Sequence, residues 1–285
     1  MRTTEKLFVL LALALTASPV WAGAWAKNSL WNDGRAEVAV YDAQREVYGK
    51  IRKFQEQLII VKEDLRADTL VKADDLKKQK TIRVFKLNQM QKFETENYPY
   101  SYMTSVFVKE DDLRHVVKIS VGSQEWCGNT FKLYRSESGS DKGTLISNSY
   151  FDGEADQTLS LDLGPDGYFE EQLPLSLREL PFKKGYETKM KVWSSLTTNH
   201  GIAPEPHDVV LKIEDEETIH GHVGALPSWK VVLKYPNGSD IYWFEKAAPH
   251  VLTKMETRDG RKRLLYGRAR WSYWDRRLPK PNILK

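Results

Sequence analysis

The chain has one cysteine, Cys127, in 285 residues, so it can form no internal disulfide and has no CxxC pair. Its apolar run from Leu7 to Ala17 is shorter than the ~20 residues needed to span a bilayer, and no later apolar run reaches that length. Neither charge sign dominates: 43 Lys and Arg stand against 39 Asp and Glu, a net +4. A chain so balanced is not broadly basic as many nucleic-acid binders are, and no nucleic-acid partner is expected. Gly 17 and Pro 12 are too few for a collagen-like or low-complexity chain. The phosphate-cradling GxxxxGK, GxGxxG, the GxSxG elbow and HExxH are all missing. Acid pairs such as Asp111 and Asp112 occur, but no spacing marks a catalytic couple. No cofactor is implied.

The first residues read as an export signal. Arg2 and Lys6 give a charged start, Leu7 to Ala17 is apolar, and Val20-Trp21-Ala22 places small residues where a signal peptidase cuts. Residues 1–22 are therefore expected to be a leader. Residues 23–285 would then be a single β-rich domain, soluble in the periplasm or secreted. Two β-rich halves, 31–163 and 164–285, are the alternative division. A chain of this length buries roughly 70–75% of its unfolded surface and needs no covalent staples.

Period-two patterning runs through the chain. Val117, Ile119 and Val121 alternate with Val116, Lys118 and Ser120; Leu159, Leu161 and Leu163 with Ser160 and Asp162. Val209, Leu211 and Ile213, then Val231, Leu233 and Tyr235, repeat the pattern. One drier and one wetter face per strand suits antiparallel sheets. Pro236-Asn237-Gly238-Ser239 and Asp259-Gly260 carry hairpin-turn chemistry. Further strands are expected near 35–47, 53–63, 81–88, 98–108, 128–135, 145–152 and 187–196. The first of these also has helical composition. Short helices are expected at Ala67–Lys78 and within Gly167–Leu180, where Pro174 suits a helix start.

Four groups of residues invite a chemical reading. In Gln124-Glu125-Trp126-Cys127-Gly128, Cys127 would need a base such as His115 to act as a nucleophile. A buried thiol beside a tryptophan on a strand is the structural alternative. His220 and His222 would share one side of a strand and meet one metal, or simply form its wet face. From Arg258 onward, ten Lys and Arg face only Asp259 and Asp275. There Arg261, Lys262, Arg263, Arg268 and Arg270, interleaved with Trp271 and Trp274, suit an anionic surface such as lipid phosphate. A solvated edge hairpin is the plain alternative. The remaining tryptophans, and Tyr98, Tyr100 and Tyr102 on one side of a strand, would fill a core or line a ligand cavity.

Two resemblances follow from specific residues. Trp31-Asn32-Asp33-Gly34, Ala36-Glu37, Tyr41, Arg45, Tyr48-Gly49, Tyr98-Pro99-Tyr100-Ser101 and the segment SQEWCG at 123–128 resemble an uncharacterised family of exported bacterial proteins, over residues 31–155. Glu171-Gln172-Leu173-Pro174-Leu175, Arg178, Tyr242-Trp243-Phe244 and Asp259-Gly260-Arg261 are similar to periplasmic half-barrel proteins of unknown function. These resemblances imply a curved antiparallel sheet and no defined activity.

The expected fold is mainly β, a strongly curved antiparallel sheet or open β-barrel with a few short helices. The expected function is non-enzymatic binding or carriage of a lipid-like or other apolar ligand on the concave face, in the cell envelope, near an anionic membrane surface. An envelope scaffold that contacts another protein through exposed strands and its basic C-terminus is the second reading. A Cys- or metal-dependent hydrolase is the third.

Overall fold

The computed structural model describes residues 24–138 and 140–277. The leader expected at 1–22 lies outside them. The first eight strands form a meander: β1 (Ala36–Val47), β2 (Lys50–Arg66), β3 (Thr81–Glu94), β4 (Pro99–Lys109), β5 (Val116–Glu125), β6 (Gly128–Ser136), β7 (Lys142–Asn148) and β8 (Gln157–Asp162). A second run follows: β9 (Gly167–Phe169), β10 (Glu187–Trp193), β11 (Pro206–Gly221), β12 (Gly224–Tyr235), β13 (Gly238–Glu245), β14 (Leu252–Glu256) and β15 (Lys262–Trp271). All fifteen belong to one sheet, in the order 8-7-6-5-4-3-2-1-15-14-13-12-11-10-9. Every neighbouring pair is antiparallel except β9 with β10. The sheet is strongly curved and is not closed into a barrel. No helix among the described residues is long and apolar enough to cross a membrane.

The topology follows from β1 pairing β15, from Ala36 opposite Trp271 to Gln44 opposite Lys262. The beginning and end of the described chain thus lie side by side in mid-sheet. The two edges, β8 and β9, are consecutive in sequence and joined by residues 163–166. Position 163, the expected division between halves, is where the chain passes from one edge of the sheet to the other.

Alternation sorts the side chains as period two requires. Tyr41, Leu58, Ile60, Phe85, Leu87, Ile119 and Val121 face the interior, with Val209, Leu211, Ile213, Val231 and Leu233 from the second run. Val117 departs from the expected face. A bulge leaves Val117 unpaired between Lys118, the partner of Phe107, and Val116, the partner of Val108. Val116 therefore joins the interior and Val117 a separate cluster with Leu65, Val84 and Phe107.

The concave interior is filled by the chain itself. After β9, a 3-10 turn (Glu170–Gln172), the one-turn helix α1 (Leu173–Ser176, with Pro174 in its first turn) and a second 3-10 turn (Leu177–Glu179) run inside the sheet. Leu173, Leu175 and Leu177 are fully buried. Each contributes ~1.5–3 kcal/mol by leaving water.

Two expectations change. Ala67–Lys78 is a series of turns, with no helix. Its backbone bonds run to the strands, Ala67 N–H to Lys80 O at 2.9 Å and Ala73 N–H to Asp64 O at 2.8 Å. Leu70 has φ +53° and Asp75 accepts from the Lys77 N–H at 3.1 Å, a local bond that competes with a helix. In the β12–β13 hairpin, Tyr235 pairs Gly238, so Pro236 and Asn237 are the central residues of the turn. Gly238 opens the next strand at φ +140°. In the other hairpin, Gly260 has φ +82° and its N–H bonds Thr257 O at 2.9 Å.

Inward-facing charges tie the inner segment to its wall. Arg263 grips Glu56 through two bonds of 2.6 and 2.7 Å and donates to Gln89 at 3.1 Å. Gln89 donates to Glu171 O at 2.7 Å, and Gln91 joins Glu56 to Arg45. Glu170 accepts from Arg258 at 2.8 Å and Arg261 at 2.5 Å. Breaking one partner of such a pair strands a buried charge, at a cost of ~3–5 kcal/mol, whereas replacing both with apolar residues is often neutral. We expect Arg263→Met to lose ~3–5 kcal/mol in urea denaturation and Glu56→Met/Arg263→Met to recover most of it. A single-variant loss under about 1 kcal/mol would show that the pair does not hold the wall.

Candidate functional site

Among the described residues, Arg261, Arg263, Arg268 and Arg270 do not form one open cationic face. Arg261 lies between Glu170 and Asp259, at 2.5 and 2.7 Å. Arg263 is buried on Glu56. Arg268 is paired with Glu245, and Arg270 with Asp33 at 2.5 Å. A bulge at Tyr266 shifts the alternation of β15, so Arg263 and then Arg268 and Arg270 turn inward, toward Glu56 on β2, Glu245 on β13 and Asp33 just before β1, while Arg261 in the preceding turn meets Glu170 of the inner segment. Lys262 is exposed, 3.7 Å from Glu256. Trp271 packs beside an outer apolar cluster of Ala36, Val38, Ile59 and Val61, and Trp274 is exposed. The sequence pattern could not show this pairing, because every acidic partner except Asp259 is distant in the chain.

The Gln124–Gly128 segment turns between β5 and β6 at one end of the sheet. Cys127 is exposed there, which corrects the buried-thiol reading. A two-residue turn carries its side chains to the tip of the hairpin, out of the core. Its sulfur lies 3.0 Å from the Tyr98 hydroxyl, whose pKa this contact pushes up to about 12. His115 is elsewhere, half-buried, 3.9 Å from Asp141, so it supplies no base to the thiol. Trp126 is 75% exposed. Its indole stacks on Tyr98 at 5.9 Å, Tyr98 on Tyr100 at 5.6 Å and Tyr100 on Phe93 at 5.4 Å. Glu125 accepts from Asn199 at 3.4 Å. Gly128 is required by contact, since a Cβ there would sit 2.3 Å from the Tyr150 ring.

The two histidines do not share a strand face. His220 is near the end of β11, and His222 lies in the turn before β12. The hairpin reverses between them, so strand alternation no longer aligns them. His222 instead contacts Asp42 at 2.8 Å. Among the described residues, no group of three or more His, Cys, Asp or Glu is placed to hold a metal.

A hollow lies on the outer face. A trough of about 600 Å³ crosses β2 to β6, lined by Gln55, Gln57 and Gln124 and by Met90, Met103 and Phe131. All six alternate with core-facing neighbours. Met103 and Phe131 are 51% and 45% exposed and flank Gly122, which pairs with both, so their apolar surfaces border the same hollow. Ser101, Ser120 and Gly122 deepen it, and a Cβ on Gly122 would meet nothing within 4 Å. Of these residues Gln124 alone belongs to a candidate site in the sequence, while Ser101 falls in a resemblance motif and Ser120 in the strand pattern.

Two titratable groups in the interior are strongly perturbed. Burial, reinforced by Asp112, pushes Glu179 up to about 7. Burial pushes Lys132 down to about 8, while its ammonium donates to Leu196 O at 2.8 Å and Thr198 Oγ1 at 2.9 Å. Glu171 holds the same strap, residues 194–201, through Ser195 at 2.6 Å and the Leu196 N–H at 2.7 Å. Lys132 and Glu171 thus anchor the strap over the first run of strands.

No family model matches the sequence, and no curated protein matches it. Among solved structures, the chain is similar to a β-barrel-like protein of the domain of unknown function DUF1849 from Brucella abortus. That similarity has 10% identity and a TM-score of 0.45, over 84% of this chain and 98% of the other.

Two predictions follow from the site geometry. Cys127 should react stoichiometrically with iodoacetamide in the folded protein at the rate of an exposed thiol, and protection until unfolding would contradict its position. The raised Glu179 pKa means that the folded protein keeps a proton which the unfolded chain releases from about pH 4.5 upward. Stability from this group is therefore present at low pH and lost as pH rises through 7. In thermal unfolding across pH 4 to 8, Glu179→Gln should gain on the wild type as pH rises. A pH-independent difference would refute the assignment.

Proposed function

We propose that the chain is a non-catalytic binding protein of the bacterial cell envelope, which takes a lipid-like, amphipathic ligand in the trough on the outer face of β2 to β6. The apolar leader pattern at residues 7–17 supports export. The trough supports the binding reading: Met103 and Phe131 leave large apolar surface in a hollow of about 600 Å³, and three glutamines offer hydrogen bonds along it. A volume in the range of ~300–1,000 Å³, largely apolar with a few polar groups, is usual for small-molecule sites. The expected concave-face site is replaced by this outer one, because Leu173, Leu175, Leu177 and their ion-paired neighbours occupy the interior. The scaffold reading draws support from the exposed rings of Tyr48, Trp126 and Tyr150 at one end of the sheet.

The test is native mass spectrometry of the gently purified protein, with organic extraction of the same sample. Bound lipid near one per chain is expected in the wild type. Gly122→Trp should abolish it without loss of thermal stability, since the new side chain enters open space. A clean apo mass after incubation with envelope lipid extract would overturn the proposal. A protein crosslinked through Trp126 in that case would favour the scaffold.

A further inference from the structure

One end of the concave face stays open. A cleft of about 290 Å³ lies between β1, β15 and the loop after β13, with Glu37, Glu245, Arg268 and Arg270 on its polar side. Leu30, Ala247, Ala248, Pro249 and Val251 form its apolar side. Glu37 is 5% exposed and accepts from Arg178 on Oε1 at 2.7 Å. Its Oε2 is buried and has no partner among the described residues. Arg270 is fixed by Asp33 and by the carbonyls of Leu30 and Arg35, yet its Nη1 also has no partner among them. Glu37 and Arg270 are direct cross-strand partners. An unfilled acceptor and an unfilled donor thus belong to two cleft-lining residues in adjacent positions, roughly 5 Å apart at Cβ.

Buried polar groups without partners are costly, and a ligand or water must satisfy them. The charges here select among ligands. Glu37 is balanced by Arg178, Glu245 by Arg268 and Arg270 by Asp33. A net charge brought into this balanced lining would be left uncompensated. A molecule carrying both charges adds none. We propose that the cleft binds a small zwitterion of the aliphatic amino-acid class, with its ammonium on Glu37 Oε2 and its carboxylate on Arg270 Nη1. The aliphatic side chain lies against Ala247, Pro249 and Val251. The short separation of Glu37 and Arg270 suits charges borne on one carbon. The volume, at the lower end of the ~300–1,000 Å³ usual for ligand sites, fits a molecule of this size.

Isothermal titration of the purified protein with L-leucine tests this, with leucinamide and 4-methylpentanoate as single-charge probes. L-leucine should bind with a Kd below about 1 mM. Each single-charge probe should bind at least ~10-fold more weakly, having lost one charge-assisted bond. Ala247→Trp, an exposed rim position outside every ion pair, should abolish binding with the melting temperature unchanged. Glu37→Gln should weaken L-leucine but leave 4-methylpentanoate unaffected. No heat with L-leucine at about 10 mM would overturn the proposal, as would equal binding by the three probes or by Ala247→Trp. Because the outer trough is untouched by these variants, lipid retention can fail or succeed independently of this result.

Discussion

The structure depends on filling the concave face of a sheet too large to leave empty. Fifteen curved strands create an interior that neither layer packing nor a second domain covers. The chain solves this by turning residues 170–179 inward. That segment brings Glu170, Glu171 and Arg178 with its leucines, and each charge must find a partner in the wall. Arg258 and Arg261 serve Glu170, the strap at Ser195–Thr197 serves Glu171, and Glu37 serves Arg178. These partners come from β1, the β14–β15 turn and the strap, so the interior polar contacts also fix how the two runs of strands meet.

Such an interior has consequences for binding. A carrier cavity in the middle of this sheet would have to displace leucines and separate buried ion pairs. Binding is left to surfaces where alternation exposes large apolar groups, or to the mouth where the inner segment stops short. The trough exists because Ser101, Ser120 and Gly122 are small on a face where Met103 and Phe131 are large. The mouth exists because alanines line the loop after β13.

Much of the strand content was legible in advance. Leu211 and Ile213, or Leu233 and Tyr235, announce both their strand and their dry face through period two alone. The inner segment was legible as a short helix with Pro174 near its start, because proline suits the first turn. Val117 was misplaced because a bulge resets the alternation, and a bulge depends on the partner strand. Ala67–Lys78 has helical composition, but backbone bonds from it go to Asp64 on β2 and to Lys80 just before β3. The basic stretch from Arg258 looked like an open anionic-binding face because its partners, Glu56, Glu170 and Glu245, lie far away in sequence. One clue was present: Glu56 shares its parity with Leu58 and Ile60, and a carboxylate on a dry face needs a buried cation.

By itself the sequence determined the local alternation, the tight turns and the absence of an internal disulfide, since each depends only on neighbouring residues or on a count. Tertiary structure decided which face each charge meets, where Cys127 and His222 lie, and that the concave side is filled except at one mouth. Those outcomes rest on β1 meeting β15 across more than two hundred residues, and on a segment folding inward between the two sheet edges. Pairing and filling of that kind are settled by burial and charge compensation in three dimensions, which no local pattern encodes.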